Sequence, residues 1–195
     1  MEKRCDQIVD CPDKSDETEC SLVEIESGYD KKVPPFDVDE ESHIVAVTVN
    51  ISTTLMNVLK ISEVDHTIEL KFGISLVWYE NRVKYHNLKT NVALNMLSDA
   101  ELSSIWIPYI IFRNTDDDEA VTIGSVKTEA SVTREGLFQR SPPEIADEIE
   151  IFNGKDNKIT LNQTHSKEFH CTYLLHYFPF DVQVAFLSFN QGTGH

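Results

Sequence analysis

Thr67-Ile-Glu-Leu-Lys-Phe-Gly-Ile-Ser-Leu-Val-Trp78 decides the fold. Ile68, Leu70, Phe72, Ile74, Leu76 and Trp78 fall on one face, and Thr67, Glu69, Lys71, Gly73 and Ser75 on the other. A period of two is that of a β-strand with one side against a core; a slip of one residue would turn the whole apolar set to water. The second face is left for solvent or for contact between subunits.

Outward from this strand the pattern repeats in shorter pieces. Val45, Val47, Val49 and Ile51 alternate in the same way and predict a half-buried strand over 44–51. Strands are also predicted at 122–129, 131–138, 158–161, 165–177 and 182–189, with a helical turn within 95–102 and a turn at Gly154-Lys-Asp-Asn157. Short strands between turns, with almost no helical period, predict an all-β sandwich.

The chain has 195 residues, 41% of them hydrophobic, enough for one well-cored domain and a small module. A formal charge of -16 speaks against nucleic acid as a partner, because phosphate binding needs clustered Lys and Arg. A membrane helix needs about eighteen or more apolar residues. The longest apolar run, Ile105 to Phe112, is strand-sized and broken by Pro108. No signal peptide opens the sequence. Yet three of the four cysteines crowd into the first twenty residues, and Asn50-Ile-Ser52 and Asn162-Gln-Thr164 fit the glycosylation acceptor pattern. These extracellular signs, without a leader or an anchor, suggest a fragment cut at both ends.

Cys171-Thr-Tyr-Leu-Leu-His-Tyr-Phe-Pro-Phe-Asp-Val-Gln-Val-Ala185 sets a Phe-Pro-Phe-Asp corner between two strand-like arms, the proline fixing a rigid bend. Upstream stand Trp78-Tyr-Glu-Asn-Arg82, Ser104-Ile-Trp-Ile-Pro108 and Tyr29-Asp-Lys-Lys-Val-Pro34. Together these segments resemble the extracellular ligand-binding domain of the Cys-loop, or pentameric ligand-gated ion channel, family. The resemblance implies an immunoglobulin-like β-sandwich, homologous subunits in a pentamer, and a small ligand at subunit interfaces. It also implies a membrane portion beyond this chain and a place on the extracellular side of the plasma membrane. Phe178, Pro179, Phe180 and Asp181 become the coupling loop that relays ligand binding to the pore.

The sequence departs from that family at several positions. Ala185 stands where the loop's second cysteine belongs, so Cys171 has no partner within the loop, and Tyr109 stands where an aspartate is usual. The aromatic positions of amine-binding members fall on Gly73, Arg113 and Gly192. None is aromatic, so an amine held by cation–π attraction is not expected, and the ligand stays unassigned.

Residues 5–20 resemble the C-terminal half of an LDL-receptor class A module, a disulfide-knit calcium binder. That resemblance implies calcium held by the side chains of Asp6, Asp10, Asp16 and Glu17 with the backbone of Lys3 and Ile8, and a Cys5–Cys20 disulfide. It leaves Cys11 needing a partner from outside this half. The expected organisation is therefore a partial module at 1–20, a polar linker and entry segment at 21–42 and a truncated ligand-binding domain at 43–195. Asp116-Asp-Asp-Glu119 reads as a solvated loop.

Catalysis is not expected. His170 and Cys171 sit side by side, but neighbours on a strand point to opposite faces, and no second thiol stands at metal-ligand spacing. Two other classes compete with the channel reading: a secreted binding protein of the same fold, and a fragment of an adhesion or endocytic receptor.

Overall fold

A computed structural model describes residues 11–13, 20–38, 41–112, 114–115, 127–140, 149–171 and 189–192. The described chain is all-β apart from one short helix and two 3-10 turns. Its strands are β1 (Val23–Ile25), β2 (Phe36–Val38), β3 (Ile44–Ala46), β4 (Asn50–Ser62), β5 (Thr67–Trp78) and β6 (Val83–His86). After α1 (Asp99–Ser104) come β7 (Tyr109–Phe112), β8 (Lys127–Val132), β9 (Phe138–Arg140), β10 (Glu150–Asn153), β11 (Ile159–His170) and β12 (Phe189–Gly192). Two four-stranded sheets run in the orders β1-β6-β10-β9 and β4-β5-β11-β8, with two-stranded sheets β12-β7 and β2-β3.

The chain divides into two compact units. The first gathers Met1–Asn50, Val77–Ile107 and Glu129–Leu161, the second Ile51–Leu76, Pro108–Thr128 and Asn162–His195. In the first unit, Trp78, Val83, Tyr85, Trp106, Phe152, Ile159 and Leu161 form the buried apolar set, with Trp78 and Trp106 meeting edge to face at 6.2 Å. The Arg134 guanidinium lies 4.9 Å from the Phe152 ring centre and covers this core from one side. Buried Asn95 accepts from the Lys89 amide at 2.7 Å and donates to the Lys89 and Val132 carbonyls at 2.8 and 3.0 Å. It thereby ties the loop at Lys89 to the end of β8 and satisfies backbone groups of both.

In the second unit β5 supplies the core, as its alternation predicts: Leu70, Phe72, Ile74 and Leu76 are buried, with Ile68 partly so, while Lys71 is exposed. Burying each such side chain is worth about 1.5–3 kcal/mol. Phe72 of β5, Phe112 of β7 and Phe169 of β11 meet with ring centres 5.7–6.0 Å apart. The β7–β12 sheet and the four-stranded sheet thus face each other through aromatic edges.

Several expectations need correcting. The alternation at 44–51 does not mark a core face: β3 ends at Ala46, Ile44 and Val45 are exposed, and Val47, Val49 and Ile51 are only partly covered. The reason is that β3 pairs with β2 alone, and Phe36 and Val38 are exposed too. A period of two fixes which residues share a face, not whether anything covers it.

β4 continues for thirteen residues, although 52–62 carries no clean alternation. It is the edge of its sheet, and Leu55, Met56, Val58, Leu59 and Ile61 are all exposed. β11 is unbroken where two strands are predicted, because β5 and β8 pair with it on both sides and carry Asn162-Gln-Thr164 through.

The 21–42 segment is also more than a linker, since β1 pairs with β6 and β2 with β3. The helical turn lies at Asp99–Ser104, where Ser98 and Glu101 form a reciprocal capping box. Glu101 Oε1 also accepts the Leu22 amide at 2.6 Å. Burial works against the charged Glu101 carboxylate, but the Ser98 and Leu22 donors outweigh it and hold its pKa below the usual value.

Candidate functional site

The turn after β5 holds a dense polar arrangement within the first unit. Trp78 is buried at the end of the strand, and the alternation then drives Glu80 into the same core. A carboxylate there must be met by donors, and it is. Arg82 Nε reaches Glu80 Oε1 at 2.7 Å and its terminal nitrogen reaches Oε2 at 2.8 Å, a two-pronged pair. Tyr29 donates its hydroxyl to Oε2 at 3.2 Å and accepts the Trp106 amide at 2.6 Å.

The Arg82 guanidinium stacks 4.6 Å from the Tyr29 ring centre. Burial, reinforced by the Glu80 charge, pushes the Tyr29 phenol well above its ordinary pKa, so Tyr29 serves as a neutral donor. The motif segments around Tyr29, Trp78 and Trp106 therefore converge on one carboxylate. Their arrangement is chemically quiet: the Glu80 carboxylate is met by Arg82 and Tyr29, and the effect is to fix the 29–33 segment, the β5 turn and the Trp106 backbone together.

A pocket of about 430 Å³ opens beside it, lined by Glu26, Gly28, Tyr29, Val33, Phe36 and Arg82 among others. A second pocket of similar size is lined by Asn87, Leu88, Lys89, Asn91, Arg134 and Glu150 among others. Arg134 donates to the Leu88 carbonyl at 3.1 Å and lies 3.8 Å from Glu150.

The sequence-predicted ligand positions fare unevenly. Gly73 lies on the outer side of β5, and a Cβ there would meet Met56 Cε at 3.1 Å. The thioether of β4 thus covers the place where an aromatic ring would project, and a cation on this face meets soft apolar surface. Gly192 pairs with Tyr109 in the β12–β7 ladder. Arg113 and the coupling loop Phe178, Pro179, Phe180 and Asp181 lie outside the described residues, as does Asp116–Glu119. So do Asp6, Asp10, Asp16, Glu17, Lys3, Ile8 and Cys5 of the expected calcium module. Cys20 is disulfide-bonded, whereas Cys11 and Cys171 are thiols. His170 is exposed and Cys171 buried, on opposite faces at the end of β11.

The family profile of the neurotransmitter-gated ion-channel ligand binding domain matches residues 19–193. The chain belongs to that family. Its fold class is accordingly the all-β sandwich of these ligand-binding domains. It is 24% identical over 169 residues to the acetylcholine receptor subunit delta of Xenopus laevis, covering 87% of this chain and 27% of that one. It is 34% identical over 94 residues to the gamma-aminobutyric acid receptor subunit epsilon of Homo sapiens, covering 48% of this chain and 17% of the relative. The gamma-aminobutyric acid receptor subunit gamma-3 of Mus musculus shares 24% over 180 residues, 91% of this chain and 32% of that subunit. The chain thus spans less than a third of the length of these relatives. Among the described residues of this ligand-binding domain, no helix is long and apolar enough to cross a membrane.

The Tyr29–Glu80–Arg82 network is what reading the sequence missed. Glu80 there looks like a charged turn residue beside a tryptophan. The overlooked signal is parity: Glu80 continues the even-numbered core face of Leu76 and Trp78, so it had to be buried and paired.

Proposed function

We propose that this ligand-binding domain is the extracellular sensor of a ligand-gated ion channel subunit, taking a small ligand and working in a ring of five homologous subunits above a membrane pore. The family match across residues 19–193 carries this reading. The exposed apolar edge of β4, Leu55, Met56, Val58, Leu59 and Ile61, supports association with further chains. Met56 over Gly73 favours ligands that do not rely on a cation–π box at this strand.

The direct test joins this chain to the membrane portion of a relative and records currents from surface-expressed channels while small amino acids, amines and related ligands are applied. A ligand-evoked current is expected. Surface channels that assemble and open spontaneously, yet answer to none of these ligands, would overturn the sensor reading.

Extracellular placement makes a second prediction. Asn50 and Asn162 are both exposed on their strands, so both side chains are accessible to carry glycans. Secreted behind a leader from eukaryotic cells, the chain should lose mass on enzymatic deglycosylation, and Asn162→Gln should abolish part of that loss. A secreted product whose mass is unmoved by deglycosylation contradicts the assignment.

A further inference from the structure

His165 sits at the centre of the aromatic contact in the second unit. It projects from β11 with Phe169 toward β5 and β7 and is 2% exposed. Its ring stacks on Phe72 at 5.6 Å, with 24° between planes, and meets Phe112 edge-on at 5.6 Å and 67°. Among the described residues, neither ring nitrogen has a hydrogen-bond partner. Buried imidazoles ordinarily bond through at least one nitrogen, so a fully orphaned one calls for an explanation. As a neutral ring it packs here as a fourth aromatic and holds β5, β7 and β11 together.

Its charged form has no such place. An imidazolium needs acceptors for two N–H groups, and among the described residues neither nitrogen meets one. The charged group that faces it comes from its own strand: Lys167 lies with Nζ 5.4 Å from the Phe112 ring centre. That cation repels a second one and already uses the π-face that could have attracted it. On β5 the core-facing neighbours are Leu70, Phe72 and Ile74, and on β7 they are Ile110 and Phe112, none of them charged. Burial first, and Lys167 second, accordingly hold the His165 pKa below the ordinary 6.5.

We propose that His165 is an acid-release latch: neutral, it closes the second unit by joining β7 to β5 and β11, and it takes up a proton more readily when those strands part. The sign follows from linkage. The opened form binds a proton near pH 6.5 and the closed form only below that, so latch stability is complete above about 6.5 and is lost as the pH falls through it. A site that binds a proton more tightly in the open state makes acid an effector of this fold, whatever ligand the domain takes.

Hydrogen exchange at the β7 amides of Ile110, Ile111 and Phe112 in the full chain tests this, after correction for the intrinsic pH dependence of exchange. Below about pH 6.5, protection in the wild type should fall by up to about tenfold per pH unit, and His165→Phe should remove that fall. Nuclear magnetic resonance titration of the wild-type chain gives a reading that needs no variant: the His165 ring should stay neutral as the pH falls below about 6.5, the ordinary histidine value. A His165 resonance that titrates with an ordinary midpoint while β7 stays protected would overturn the latch. So would a His165→Phe chain that loses β7 protection with acid as the wild type does.

Discussion

Replacing Arg82 with alanine should lower the stability of the domain by about 3–5 kcal/mol, the usual result of leaving one member of a buried ion pair without its partner. Glu80 is 0% exposed and Arg82 is 20% exposed, so the change strands a carboxylate in the core without relaxing it into water. Tyr29 still donates to Glu80 Oε2 but cannot supply the two bonds that Arg82 made, and its ring loses the guanidinium stacked on it. Urea unfolding at neutral pH checks the figure. Arg82→Lys should recover only part of the loss, because an ammonium cannot offer the two-pronged geometry. Glu80→Leu combined with Arg82→Leu should be milder than Arg82→Ala, since the stranded charge goes with the pair. A loss below about 1 kcal/mol for Arg82→Ala would place the pair among ordinary surface salt bridges and refute the assignment.

Gly154→Ala should be as damaging, and for a steric reason. A Cβ at Gly154 would stand 1.9 Å from the Glu80 carbonyl oxygen and 2.8 Å from that of Val83. Both obstacles are backbone, so no side chain can rotate away. Either the 3-10 turn Gly154–Asp156 must retreat from the β5–β6 turn, or that turn must move and disturb the Glu80–Arg82 pair. Overpacking of this kind commonly costs about 1–3 kcal/mol, and the backbone contact puts this case at the upper end or beyond. Unfolding midpoints of Gly154→Ala and wild type, read by the near-ultraviolet signal of Trp78 and Trp106, measure it. A wild-type midpoint would mean that the approach is loose enough to admit a methyl group.

Both expectations centre on one turn, and that turn marks how far the sequence could be read. The strand leading to it was legible because its apolar residues sit at every second position over eleven residues, which only a half-buried strand explains. The β2–β3 ribbon has the same kind of pattern but, among the described residues, no layer over it, so its apolar residues are exposed. β4 has no clean pattern at all, because an edge strand open on both faces is under no demand to alternate.

The candidate ligand positions were legible by alignment to motifs. That Met56 lies over Gly73 was not, because the contact joins residues seventeen positions apart on neighbouring strands and depends on their register. The orphaned His165 was likewise invisible: in the sequence it is an ordinary polar residue between Thr164 and Ser166, and its surroundings come from phenylalanines on two other strands, β5 and β7.

By itself, then, the sequence determined the all-β class, the core strand at 67–78 and the family, because periodicity and short motifs are local properties of the chain. Tertiary structure alone decided that Arg82 and Tyr29 are the partners of the Glu80 carboxylate, that Gly154 is required by a neighbouring carbonyl, and that His165 has no hydrogen-bond partner among the described residues. Each of these depends on which distant backbone or side-chain atoms come within a few ångströms, and that is set by packing between strands rather than by the order of residues along any one of them.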